Sequence, residues 1–147
     1  MTHADLTSLV RQGLAALEHG NTLVALLHFE QVAGIWPNAV VFSCLGYCIA
    51  RERRDLERGL HLCREALRQE PANPLHYLNL GRVYLLAQQK HLAVWTFHKG
   101  MGYGRHPGLL RILERMGRRR PPVFARLGRK HFLNRYCGML LSGLGLR

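Results

Sequence analysis

The chain has 147 residues, 48% of them hydrophobic, with 21 Lys plus Arg against 9 Asp plus Glu and a formal net charge of +12. Such an apolar fraction excludes a disordered chain of low hydrophobicity, and no apolar run reaches the ~18–20 residues that span a bilayer. The N-terminal MTHADLTSL has no basic start ahead of an apolar stretch, so the expectation is a cytoplasmic protein without a secretory signal.

Taken in chain order, the elements read as helices throughout. The first is predicted over 5–18 and the second over 22–34, with Gly20-Asn21 as the turn between them. Asn38, following Pro37, caps a third helix over 39–52, and Asp55 caps a fourth over 55–69 that stops before Pro71. Asn73 precedes Pro74 at the start of a fifth helix, 74–87, and a sixth runs over 90–101. Pro107 opens a seventh over 107–116, amphipathic, with Leu109, Leu110, Ile112, Leu113 and Met116 opposite Arg111, Glu114 and Arg115. No segment alternates with period two over the length of a strand, so no sheet is expected. Residues 118–147 form a basic tail opened by RRRPPVF and rich in apolar residues, among them Phe124, Phe132, Tyr136 and Leu140. These groups need burial, and the expectation is that 121–147 folds back along the rest of the protein.

An internal repeat organises the first two-thirds. Ala25, Gly59 and Ala93 are spaced by 34 and 34, as are Phe29, Cys63 and Phe97, and Val32, Ala66 and Gly100. Gly13, Gly46 and Gly81 recur at 33 and 35, with Leu9, Phe42 and Tyr77 four residues before them and Ala16, Ile49 and Tyr84 three after. Large and small slots returning at helical spacing every 34 residues indicate stacked helix pairs, the small residues letting two helices approach closely. The second repeat carries 13 residues rather than 12 from Gly46 to Gly59, and the RERRD turn is expected to absorb the extra one.

This pattern resembles the tetratricopeptide repeat family over about residues 5–107. The third repeat matches its signature best, with Tyr77, Leu80, Gly81, Tyr84, Ala93 and Phe97. The second supplies Phe42, Leu45, Gly46, Ile49, Gly59, Cys63, Ala66 and Pro71, and the first Leu9, Gly13, Ala16, Ala25, Phe29 and Pro37. The resemblance implies an all-α fold, a short right-handed α-solenoid of three helix-turn-helix repeats. Residues 1–106 hold the repeats (about 5–37, 38–72 and 73–106), 107–117 a helix capping the open end, and 118–147 the tail.

It also implies a working surface, since in this family the first helix of each pair lines a groove that receives a partner segment. Carried over, the groove slots are Thr7, Val10, Leu14 and Leu17, then Val40, Ser43, Tyr47 and Arg51, then Leu75, Leu78, Arg82 and Leu85. Most are apolar, which favours an apolar ligand. The family's carboxylate-clamp variant does not match, because Val10, Leu14, Cys44 and Leu78 stand in its basic and amide slots.

Charge offers a second reading. Residues 1–50 hold one Arg and three acids, whereas residues 101–147 hold eleven basic residues against Glu114 alone. Arg111, Arg115, Arg118, Arg119, Arg120, Arg126, Arg129 and Lys130 form a basic surface for RNA, DNA or ribosome association, the first three at i, i+4 and i+7. Peripheral membrane contact ranks last, because the apolar stretch NRYCGMLLSGLG is short and glycine-rich.

No enzyme is expected. The chain has no GxGxxG, P-loop, HExxH or GxSxG. Cys44, Cys48, Cys63 and Cys137 include no CxxC pair, and a metal at Cys44 and Cys48 would need His61 or His76 to converge there, so both cysteines read as small core residues and no metal or cofactor is assigned. The leading expectation is a protein-interaction module, an adaptor or chaperone-like scaffold, with nucleic-acid binding as the alternative.

Overall fold

The computed structural model describes residues 1–117. It contains α1 (His3–Glu18), α2 (Thr22–Ala33), α3 (Ala39–Glu52), α4 (Leu56–Gln69), α5 (Pro74–Leu86), α6 (Lys90–Met101) and α7 (Pro107–Gly117), with no strand among the described residues. The chain pairs α1 with α2, α3 with α4, and α5 with α6; α3 then packs on α2 and on α5, and α4 on α5. This is the expected solenoid of three helix pairs. None of these helices is long and apolar enough to cross a membrane.

Helix starts follow local chemistry. The side chains of Asn38, Asp55 and Asn73 accept from the amides of Val41, Arg58 and Leu75 at 3.1, 3.0 and 3.1 Å, satisfying donors that a first helical turn leaves open. α1 begins two residues before the expected position. Thr2 and Asp5 form a capping box, the Thr2 amide donating to Asp5 Oδ2 at 2.7 Å and the Asp5 amide to Thr2 Oγ1 at 3.3 Å.

Each turn within a pair holds one residue in the left-handed region: Gly20 at φ 77°, Arg54 at φ 60° and Gln88 at φ 61°. They sit at the same place in each repeat, two residues past the end of the first helix. The Asn21 amide donates to the Ala16 carbonyl at 2.8 Å and that of Gln89 to Tyr84 at 2.9 Å, closing Schellman-type ends. The interval from Arg54 to Gly59 equals those from Gly20 to Ala25 and from Gln88 to Ala93, so the extra residue of the second repeat does not lie past the end of α3 as the RERRD turn was expected to place it. It lies in α3, between Gly46 and the helix end, and one inserted helical residue turns Gly46 by about 100° relative to that end.

The packing of the middle pair accommodates that rotation. In the outer pairs the glycine lies under a ring: a Cβ on Gly13 would come within 2.8 Å of Phe29, and one on Gly81 would collide with Phe97. In the middle pair the aromatic slot is Cys63, and a Cβ on Gly46 would fall 2.7 Å from the Gly59 carbonyl oxygen. A Cβ on Gly59 would likewise meet Ala50 Cβ at 2.7 Å. Backbone therefore packs on backbone there, and neither glycine tolerates a side chain without helix movement.

Two clusters of the core lie within the described residues, and Phe97 and Leu109 are buried besides. The first gathers Leu6, Leu26, Phe29, Val32, Val41, Leu45, Cys48 and Ile49 under the first two pairs, and the second Ala50, Cys63, Leu80 and Val83 under the second and third. Cys44, Cys48 and Cys63 are free and buried, and burial pushes the Cys44 and Cys48 thiols up to about 12 and Cys63 higher still. They pack as small hydrophobes rather than as reactive thiolates.

α7 closes on the last pair. Leu109 is fully buried and its Cδ1 lies 3.1 Å from where a Gly100 Cβ would stand, while a Cβ on Gly108 would come within 2.6 Å of Leu78. Glycines on both sides let this helix approach the end of the solenoid, where an uncapped repeat would leave apolar surface in water.

Candidate functional site

The expected groove residues lie on α1, α3 and α5, and the structure sorts them by environment. Val10, Leu14, Leu17, Val40, Tyr47, Leu75, Arg82 and Leu85 are half-buried, and all but Arg82 and Leu85 pack against the core clusters. Thr7 and Arg51 are exposed. Ser43 and Leu78 are buried, at 0% and 2% exposure, and are not groove residues. Leu78 is covered by Gly108 of α7, so the protein's own cap takes the slot a ligand would have used.

Ser43 belongs to a polar cluster between α3 and α5. His76 Nδ1 lies 2.8 Å from Ser43 Oγ, and His76 Nε2 lies 3.1 Å from Glu70 Oε2. Asn79 Nδ2 donates to Ser43 Oγ at 3.3 Å and to Cys44 Sγ at 3.4 Å. Burial pulls the His76 pKa below its ordinary value, opposed by the Glu70 carboxylate. Hydrogen bonds from Asn73 and then His76 lower the Glu70 pKa. A histidine whose pKa burial lowers binds its proton more weakly folded than unfolded, so its contribution is complete above the unfolded pKa of about 6.5 and is lost as pH falls from there through the lower folded value. Urea denaturation midpoints are expected to drop between about pH 7 and pH 5.5. His76→Gln, which keeps hydrogen bonding but cannot titrate, should flatten that slope; an unchanged slope would assign it elsewhere.

The charged part of the inner face centres on Arg82. Its guanidinium stands over the Tyr47 ring at 5.0 Å, a cation–π contact between α5 and α3. Burial and the nearby Arg111 lower its pKa, while the Tyr47 hydroxyl opposes them, and an arginine so placed stays cationic at neutral pH. His106 is held neutral by burial and then by the Arg82 and Arg111 charges, against Glu18; its Nδ1 accepts from the Gly108 amide at 3.1 Å. The face therefore offers an aliphatic row with one cation on an aromatic ring, suited to an apolar segment carrying a carboxylate or carbonyl.

Of the expected basic surface, Arg111 and Arg115 are exposed on α7. Arg118, Arg119, Arg120, Arg126, Arg129, Lys130 and the fold-back of 121–147 lie outside the described residues. Nor did the sequence reading single out the exposed Leu92, Trp95 and Tyr103, which border a second groove of about 430 Å³ between α4 and α6. One signal was present: Leu92, Trp95 and Lys99 follow one another at three and four residues, one face of a helix.

No family profile matches the sequence, and no curated protein matches it significantly. Among solved structures it is similar to the first TPR domain of the human RPAP3 protein, with a TM-score of 0.58 and 13% identity over 76% of this chain and 89% of that one. It is also similar to the TPR domain of P58(IPK), with a TM-score of 0.55 and 17% identity over 79% of this chain and 36% of that one. Both are likenesses of fold.

Proposed function

From the premise that this chain has the tetratricopeptide-repeat fold, we propose that it is a non-enzymatic protein-interaction module, an adaptor or chaperone-like scaffold of the cytoplasm. It takes a partner segment on the face of α1, α3 and α5. One observation carries the reading: the half-buried row of Val10, Leu14, Leu17, Val40, Leu75 and Leu85 beside the Tyr47–Arg82 pair. A monomer that kept such a row wet would forgo about 25 cal/mol for each Å² left uncovered. The ligand this chemistry suits is an extended or helical segment with apolar anchors and an acceptor for Arg82.

Affinity capture on the intact chain, at low and at moderate salt, tests it. Leu14→Glu and Arg82→Glu should each reduce retention of the captured protein about tenfold or more, as loss of a central anchor does, while moderate salt should change it little. Retention of nucleic acid that falls steeply with salt and is unmoved by Leu14→Glu would favour the basic surface instead.

A further inference from the structure

Helices α4 and α6 flank the second groove and α5 floors it, and it shares no residue with the inner-face row. Its cavity of about 430 Å³ is the size of sites that enclose a small ligand or a few side chains. The walls mix three kinds of group. Leu67, Leu80 and Leu92 are aliphatic; Tyr77, Tyr84, Trp95 and Tyr103 are aromatic; Arg64, Arg68 and Lys99 are cationic. Trp95 is 61% exposed, unusual for a side chain of its apolar area.

The cations are not equivalent. Arg68 is held by both oxygens of Glu65, at 2.7 and 2.9 Å, so its charge is matched. Arg64 donates to the Tyr84 hydroxyl at 3.3 Å, and Lys99 Nζ stands 4.9 Å from the Trp95 ring centre and 6.0 Å from that of Tyr77. Neither has a carboxylate partner among the described residues. Behind the α6 wall, Thr96 is 1% exposed and its hydroxyl, shut off from solvent, has no hydrogen-bond partner among the described residues.

We propose that this groove binds a short acidic peptide segment of a partner protein. Its apolar side chain seats against Trp95 and Leu92, and its carboxylates pair with Arg64 and Lys99. Charge complementarity selects this occupant. Residues 118–147 carry eight basic residues and no acid, and the whole chain is at +12, so neither the protein's own tail nor a second copy suits a groove with two unmatched cations. Single-stranded nucleic acid suits the walls less well: Leu67, Leu80 and Leu92 give them a large aliphatic share, and the Arg68 charge is already taken by Glu65. Bases bind chiefly by stacking on rings, whereas the three leucines offer aliphatic contact to an apolar side chain.

Fluorescence anisotropy on the full chain tests this with three labelled probes: a short Asp/Glu peptide around a central Leu-Phe, its Asn/Gln counterpart, and oligouridylate. The acidic peptide should bind at least about tenfold more tightly than the other two. Lys99→Glu and Trp95→Ala, both at exposed positions, should each weaken it about tenfold, with the helical circular dichroism unchanged. Leu14→Glu, on the inner face, should leave it unaltered, which separates this site from the one proposed above. Equal binding of the amide peptide, tighter binding of oligouridylate, no binding of the acidic peptide, or indifference to Lys99→Glu would each overturn the proposal.

Discussion

Phe97→Ala is expected to destabilise the protein by about 3–5 kcal/mol, the cost of emptying a fully enclosed aromatic site. Phe97 has no exposed surface, and its ring occupies the space that a side chain on Gly81 would need. Gly81→Ala alone should cost about 1–3 kcal/mol, because the added methyl forces the ring or the helix aside. In the double variant the methyl lands in the vacated volume, so the combined loss should fall short of the sum by about 0.5–3 kcal/mol. Urea denaturation followed by circular dichroism measures all three, and strict additivity would show that the two residues do not share one packing site.

The cap should be nearly as sensitive. Leu109→Ala is expected to cost about 2–5 kcal/mol, since Leu109 is buried against Gly100 while Gly108 beside it covers Leu78. Loosening α7 also uncovers Leu78 and the end of the third pair, so binding of a hydrophobic dye should rise before global unfolding. Leu110→Ala, one residue on and 38% exposed, should move stability by no more than about 0.5 kcal/mol. Equal effects of the two substitutions would mean that α7 does not seal the solenoid.

The repeat architecture was legible because each helix pair must meet the same demand with the same slots. Wherever two helices cross closely, a small residue has to recur, and the 34-residue spacing of Ala25, Gly59 and Ala93 records that need. Caps were legible for a similar reason: Asn38, Asp55 and Asn73 each bond to an amide two or three residues on, so short-range chemistry decides them. The capping box of Thr2 and Asp5 was equally local and was overlooked; the T-x-x-D spacing carries it.

The candidate site was legible only by face. Helical register places Val10, Leu14 and Leu17 together, but it does not say which slots the protein fills itself. Ser43 and Leu78 stand in the same register as their half-buried neighbours and are buried all the same, one by His76 and Asn79 across the α3–α5 contact, the other by α7. The 13-residue interval from Gly46 to Gly59 was likewise visible, yet its placement inside α3 follows from where that helix ends, six residues past Gly46 against five past Gly13 and Gly81.

The amino-acid order by itself determined the seven helices of the described residues, their pairing and, but for the start of α1, their ends to within one residue, because periodicity, capping and turn chemistry act within a few residues or repeat at a fixed interval. Tertiary structure alone decided which side chains remain open to a partner. Exposure depends on what a distant helix covers: α7 closes the Leu78 slot, while the space between α4 and α6 leaves Trp95 and Lys99 in solvent. Packing between elements far apart in sequence leaves no local trace, and the surface available for recognition is set there.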